Sequence, residues 1–339
     1  MDSITHTVIG ACLGEVIAGK KLGKKAMLIG ALANNLPDID VITTFWTSPA
    51  KELLVHRGIT HSILFAVIAS YLLALAFKKL IKNEEVSLKQ WLLLIGSGLF
   101  LHILIDAFTA YGTGWFEPFS HYRVSFNTLF ILDPFLSLPM IVASVALLIV
   151  KRDAEQKRKR IALFGLYLSL FYLTICTCIK LYVNKTIEQD LKSKNISYQS
   201  YLATPTPMNN ILWYTVAKSG SGFYIGYYSI LDKNPTLTWE FFEKNDSLLQ
   251  PFKNNQEIEC LTRFSKNYYC VREKGGSLNF SDIRFGQIGG WYAPQAPFVF
   301  NFDLTLQKNN KINLQQGRFK SINKKDFELL ISRIKGIEN

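Results

Sequence analysis

The pattern of apolar and polar positions changes character once along this chain, near residue 183. Upstream, long apolar runs alternate with short polar stretches. Downstream, the chain is rich in Lys, Asn, Ser, Phe and Tyr, and its apolar positions come in short runs. Six helical segments are predicted in the first part. Residues 62–80 (SILFAVIASYLLALAFKKL), 91–110, 129–150 and 161–183 each approach the ~20 apolar residues that a helix needs to cross a bilayer core. Residues 7–19 (TVIGACLGEVIAG) and 25–36 (KAMLIGALANNL) are too short to span alone. With Lys20 to Lys25 between them they predict a short hairpin, re-entrant geometry included. Pro134 and Pro139 predict a break or kink at the start of the fifth segment.

Residues 184–339 read as a β-rich domain. Leu212–Lys218 and Phe223–Ile230 are aromatic and β-branched runs joined by Ser219-Gly220-Ser221-Gly222, a hairpin signal. Further strands are predicted at Tyr268–Arg272, Leu278–Phe285 and Phe298–Leu306, and a terminal helix at 324–335. The expected architecture is a multi-span α-helical membrane domain over 1–183, followed by a β-rich (α+β) domain over 184–339. The mean hydropathy of +0.13 averages these two regimes.

Charge adds the orientation. The net charge is +12. In the first part the cations gather in three clusters between apolar runs: Lys20, Lys21, Lys24 and Lys25; Lys78, Lys79, Lys82 and Lys89; Lys151, Arg152, Lys157, Arg158, Lys159 and Arg160. This is the distribution of cytoplasmic loops. No recognition motif accompanies the basic residues, so nucleic acid is not an expected partner. With all three clusters inside, the β-rich domain is expected to be extracytoplasmic. The start carries Asp2 and His6 rather than a positive charge, which argues against a cleavable signal peptide. In an oxidising compartment Cys260 and Cys270 are expected to pair.

The same topology gathers the candidate chemistry. All five histidines lie within the first 121 residues. His6 falls at the outer end of the first segment, and Asp38 and Asp40 just beyond the second. His56 and His61 precede the third. His102 and Asp106 lie one turn apart, on one face, in the outer part of the fourth. Only Lys and Arg entered the topology, yet four segments deliver imidazoles and carboxylates to one side. Such groups are the ligands of zinc, and also serve manganese or iron. Ionisable groups in a membrane domain are costly and usually functional.

Each motif carries a bland alternative. His102 and Asp106 can bond each other for packing. Asn35-Leu36-Pro37-Asp38-Ile39-Asp40 can be a helix stop followed by an exposed acidic turn. In the functional reading, Asp38 is a ligand or bridge, and Asp40 a ligand or general base. In His56-Arg57-Gly58-Ile59-Thr60-His61-Ser62 the glycine permits close backbone approach, and Thr60 or Ser62 can cap the next helix. Arg57 can grip a carboxylate or a phosphate. Asp2 is a possible partner for His6, His121 a possible substrate contact. Glu15 is either buried or a snorkelling surface acid.

Together the Asp-x-x-x-His start, the Asn-x-Pro-Asp-x-Asp turn, the His-Arg-Gly-x-Thr-His-Ser string and the His-x-x-x-Asp helix resemble the YdjM/YbcI-type inner-membrane proteins. Those are described as membrane-bound metal-dependent hydrolases. The likeness covers about residues 1–183; the tail, with Pro205-Thr-Pro207 and Trp213, looks like the extension of YfhP-like members. The resemblance implies a metal site at His6, Asp38, Asp40, His56, His61, His102 and Asp106. The expected activity is metal-assisted hydrolysis, with Arg57 stabilising developing charge and a divalent metal, zinc first, as cofactor. Membrane lipids are the expected surroundings, and a lipid or lipid-linked phosphoester at the outer face the expected substrate. A metal-binding membrane protein without turnover, such as a sensor, transporter or assembly factor, is the competing class. Transport would place ionisable groups through the full depth of the bilayer, whereas here they cluster at one face.

Overall fold

The computed structural model describes residues 1–81, 85–252, 254–306, 312–317 and 324–337; Lys82 of the second basic cluster lies outside them. The chain forms two compact units, residues 1–42 with 55–177, and residues 43–54 with 178–339.

The first unit contains α1 (Ser3–Leu22), α2 (Lys24–Asn35), most of a 3-10 helix over Leu36–Phe45, and a 3-10 turn at Ile59–His61. Between these two, α3 (Pro49–Val55) lies almost wholly in the second unit. The first unit continues with α4 (Ile63–Leu80), α5 (Leu88–Ala107), α6 (Pro134–Ile149) and the first half of α7 (Glu155–Ser193). α1 starts earlier than its apolar run because Asp2 caps it, accepting from the Thr5 N–H at 2.9 Å and from the Thr5 hydroxyl at 2.6 Å. Both Asp2 oxygens are thereby engaged at the helix start, and the expected Asp2–His6 partnership is not formed. Gly23, at a φ of +57°, turns the chain straight into α2. The predicted hairpin is packed backbone to backbone. A Cβ on Gly10 would lie 2.2 Å from the Gly30 carbonyl oxygen, and one on Gly14 would lie 2.0 Å from that of Ala26. Only glycine permits this approach, as in small-xxx-small helix pairs.

α4, α5 and α7 are long and apolar enough to cross a membrane, and α6 is a shorter apolar helix. The fifth predicted segment is trimmed at its start. The Thr128 and Leu129 amides bond the Phe108 carbonyl, and Asp133 caps α6 through the Phe135 and Leu136 amides. The sixth is lengthened, because Val183, Ile187 and Leu191 continue α7 into the core of the second unit.

The second unit holds two four-stranded antiparallel sheets. The first is β1 (Ser200–Pro205), β2 (Leu212–Lys218), β3 (Gly222–Ser229) and β4 (Glu240–Glu243), paired in that order. After α8 (Gln256–Phe264) come β5 (Tyr269–Lys274), β6 (Ser277–Gln287), β7 (Phe298–Leu306) and β8 (Ile312–Gln316), then α9 (Lys324–Ile334). Strand alternation builds the layers. On β2, Trp213 and Ala217 meet α7, whereas Tyr214 and Val216 meet Cys270 and Ile283 of the second sheet. On β5, Tyr269 and Val271 face Leu261 of α8 and Ala50 of α3.

That alternation corrects the expected disulfide. Cys260 and Cys270 are both free. Cys260 packs with the α8-side cluster that contains Tyr269 and Val271, while Cys270 points to the opposite face of β5. Alternate strand positions separate the two thiols.

Candidate metal centre

The start of α1, the end of α2 with the 3-10 helix after it, the turn before α4 and the last turns of α5 meet at one end of the helical unit. The basic clusters lie at the other end. Lys21 bonds Gln90 at the start of α5 at 2.6 Å, and Arg152 bonds the Lys21 carbonyl at 3.3 Å.

The centre is built around two imidazoles whose protons are committed elsewhere. His102 Nδ1 lies 2.5 Å from the Asn34 carbonyl oxygen. A carbonyl only accepts, so Nδ1 donates and Nε2 carries the lone pair. Thr60 donates its hydroxyl proton to Asp40 Oδ2 at 2.7 Å and so accepts from His61 Nδ1 at 3.1 Å. These outer partners set the tautomers as they do for metal-binding histidines. The two Nε2 atoms then face each other at 3.0 Å.

Two carboxylates close the group. Asp38 Oδ1 lies 3.4 Å from His61 Nε2 and 3.5 Å from His102 Nε2. Asp106 Oδ2 lies 3.5 Å and 3.6 Å from the same two atoms. Donor atoms of all four residues lie within 4.8 Å of one another. Four ligands around a tetrahedral zinc, with bonds of ~2.0–2.2 Å, sit roughly 3.3–3.6 Å apart. The residues therefore fit such an ion in number, type and spacing. Asp106 Oδ2 is paired with Arg57 Nε at 3.0 Å, while Asn34 Oδ1, at the end of α2, is buried without a hydrogen-bond partner.

The remaining predicted site residues surround this group. His6 Nε2 lies 3.1 Å from Asp106 Oδ1, the oxygen turned away from the centre, which the Met1 amino nitrogen also bonds. The His6 ring stacks on that of His102 with centroids 3.8 Å apart. Asp40 has both oxygens engaged: Oδ1 with His56 Nδ1 at 2.8 Å, Oδ2 with the Arg57 N–H at 2.9 Å and the Thr60 hydroxyl at 2.7 Å. His56 is the most open of the clustered imidazoles, its side chain 29% exposed against 0% for His61 and His102. Asp38, Asp40 and His56 also converge as a second possible donor group.

Arg57 does not face an open substrate space. Its guanidinium is 2% exposed, with Nε 3.0 Å from Asp106 Oδ2, Nη1 donating to Thr109 and Nη2 to the Met1 carbonyl. There it positions a carboxylate rather than meeting a developing charge. Arg57 also lies in the left-handed region, at a φ of +61°. Its amide is held by Asp40, and its carbonyl accepts from the Gly114 N–H at 2.9 Å. Such strain, about 1–3 kcal/mol, persists where surrounding contacts over-determine it.

Electrostatics match the donor set. Burial alone would raise Asp38, but hydrogen bonds with His102 and His61 hold its carboxyl well below the usual range. Burial would depress His61, yet Asp106, Asp38 and Asp40 push it up to about 9. Three carboxylates around one buried ring demand a positive charge.

Ser62 caps α4 through the Phe65 amide. His121 stays outside the group, pairing with Glu117 on an exposed loop. Glu15 is buried and held by Arg158 through two bonds of 2.8 and 2.6 Å. Residue-type reasoning passed over Asn34 and Thr109. Asn34 donates to the His6 carbonyl at 2.5 Å and offers its own carbonyl to His102. Its signal is a polar residue in an apolar helix, one turn before Asp38.

Apolar helices with buried imidazoles and carboxylates at one end define a membrane protein with a possible metal-binding centre. The model of the family described as YdjM inner membrane protein matches residues 1–183, and the chain belongs to that family. It is 27% identical over 238 residues to the uncharacterized protein YfhP of Bacillus subtilis (strain 168), covering 67% of this chain and 68% of that protein. It is 30% identical over 122 residues to the inner membrane protein YbcI of Escherichia coli (strain K12), covering 35% of this chain and 69% of that one. No solved structure matches.

Proposed function

We propose that Asp38, His61, His102 and Asp106 hold a divalent ion, zinc first, and that the protein is a hydrolase acting at the outer face of the membrane. The observation carrying this reading is the convergence of four donor atoms, with both Nε2 atoms 3.0 Å apart and each 3.4–3.6 Å from an oxygen of Asp38 and of Asp106. These four residues would hold the ion, which would supply Lewis acidity for activating water and polarising the scissile group.

The surrounding residues divide the work. His6 and Arg57 fix the two oxygens of Asp106. Thr60 and Asn34 fix the rings of His61 and His102. Asp40 fixes the tautomer of His56, leaving the partly open ring able to take or give a proton at Nε2. The 3-10 helix turns Asp38 and Asp40 inward while Ile39, Val41 and Ile42 stay exposed. That apolar rim supports a substrate carried in the lipid, and a phosphoester of a lipid or lipid-linked carrier suits a divalent ion beside the α4 N-terminus. The basic clusters at the far end support an outward-facing site and an extracytoplasmic β-rich domain.

A second reading rests on the other converging group: Asp38 bridges two ions, with Asp40 and His56 as ligands of the second. Metal stoichiometry separates one ion from two. The activity is tested by screening purified, metal-loaded protein against phospholipids and polyprenyl phosphates. Turnover that falls by about 10²–10⁴ in His56→Gln, and strongly in Asp40→Asn, with metal content retained, is the expected result. No turnover of any phosphoester by metal-loaded protein would leave a static metal site as the better description.

A further inference from the structure

A groove of about 870 Å³ runs between α6 and α7, inside the helical unit, from Leu138 to a mouth at the end remote from the metal centre. Its floor is small: Pro139, Ala143 and Ala146 on α6. Gly165 lets α7 approach, since a Cβ there would lie 2.7 Å from that of Ala143. Its walls are apolar, with Leu138, Val142 and Phe164 exposed to the surroundings. One mouth is polar and carries Gln156, Lys157 and Arg160. Lys157 also lines an adjoining hollow with Lys151 and Asp153. The neighbouring acid Glu155 is taken by Lys20 at 3.3 Å, and Arg158 is taken by Glu15. The mouth therefore keeps three cations against Asp153.

We infer that this groove binds one anionic glycerophospholipid of the leaflet facing the basic loops, with an acyl chain along α6 and α7 and the phosphate at Lys157 and Arg160. The length fits. From Lys157 to Leu168 the helix rises roughly 16 Å, close to the ~15 Å of one leaflet's hydrocarbon. The charge fits as well, because cationic pockets between membrane helices on this side select anionic headgroups. The site is continuous with the lipid-facing surfaces of α6 and α7, so its occupant arrives from the bilayer. The inference stands apart from the metal centre and does not depend on it.

The test is native mass spectrometry of the full chain in detergent, titrated with phosphatidylglycerol or with phosphatidylcholine of the same chains. Two basic residues near the headgroup should give a preference on the order of twentyfold for the anionic lipid. K157Q/R160Q should bring the ratio near one while binding of the zwitterionic lipid is kept. K78Q/K79Q, which removes two cations from another basic loop, should leave the preference in place. Ala146→Phe, which fills the floor, should weaken both lipids. Equal affinities in the unaltered chain would overturn the inference. So would an equal loss in K78Q/K79Q, or unchanged binding in Ala146→Phe.

Discussion

His61 and His102 meet Nε2 to Nε2 at 3.0 Å from positions 41 residues apart. With the Nδ1 protons given to Thr60 and to the Asn34 carbonyl, two neutral rings would meet lone pair to lone pair, so the contact takes up a positive charge, either a proton on His61 Nε2 or a metal ion. Such an approach is stable only around a positive charge, and Asp38 and Asp106 stand on either side of it. The bland explanation of His102 and Asp106, a packing bond between neighbours on one helix, leaves this contact unexplained. Their separation of 3.6 Å also exceeds a normal hydrogen bond.

Thr60→Val should lower metal affinity by about 10–100-fold, the usual effect of removing an outer partner of a metal-binding histidine. Valine keeps the shape but drops the hydroxyl that links His61 Nδ1 to Asp40. Competition with a chelator of known affinity reads the change. Affinity equal to that of the unaltered chain would remove Thr60 from the site.

Gly30→Leu should prevent the α1–α2 hairpin from closing. Its Cβ would stand 2.1 Å from the Gly10 carbonyl oxygen, and backbone cannot yield by that amount. A loss of more than about 4 kcal/mol, or failure to accumulate in the membrane, is expected. Gly220→Ala, where an added Cβ meets nothing within 4 Å, should stay within about 0.5 kcal/mol. Thermal unfolding of the two proteins in one detergent makes the comparison.

The Glu15–Arg158 pair joins α1 to α7, and Arg158 also donates to the Leu147 and Val150 carbonyls at 2.6 and 2.7 Å, closing the end of α6. Both side chains are nearly fully buried, 3% and 2% exposed. Glu15→Leu alone strands a buried guanidinium and should cost about 3–5 kcal/mol. Adding Arg158→Met should recover part of that loss, which a double-mutant cycle on melting temperature reports. A Glu15→Leu protein as stable as its parent would show that the pair is dispensable.

A reporter fused after residue 190 should behave as extracytoplasmic. The positive-inside rule predicts that the cations at the far end of the helices face the cytoplasm, in which case α7 would carry the chain outward. Cytoplasmic reporter activity would reverse the topology and, with it, the side to which the metal centre opens.

Much of this arrangement was legible in the residues, for physical reasons. Helix periodicity placed His102 and Asp106 on one face. Loop charge placed His6, Asp38, His56 and His61 at the same end. Hairpin chemistry at residues 219–222 gave the β2–β3 pair. Division of labour within the cluster was not legible, because residue type does not say which oxygen points where. Asp40 and Arg57 have the chemistry of a base and an anion clamp. The structure gives Asp40 to His56, Arg57 and Thr60, and Arg57 to Asp106. Asn34 was hidden because half of its contribution is a backbone carbonyl. The β5 thiol was misassigned because sequence spacing does not reveal which face of a strand a neighbouring helix covers. β4, four residues long and partly exposed, carries too short a pattern to separate from a loop.

The most direct measurement is an anomalous diffraction map of the purified protein at the absorption edge of its bound metal, alongside the His102→Ala variant. The account predicts a peak bonded to His61 Nε2, His102 Nε2, Asp38 and Asp106 at roughly 2.0–2.2 Å, absent in the variant. A metal-replete protein with no peak among these four residues, or an undiminished peak in His102→Ala, would contradict it.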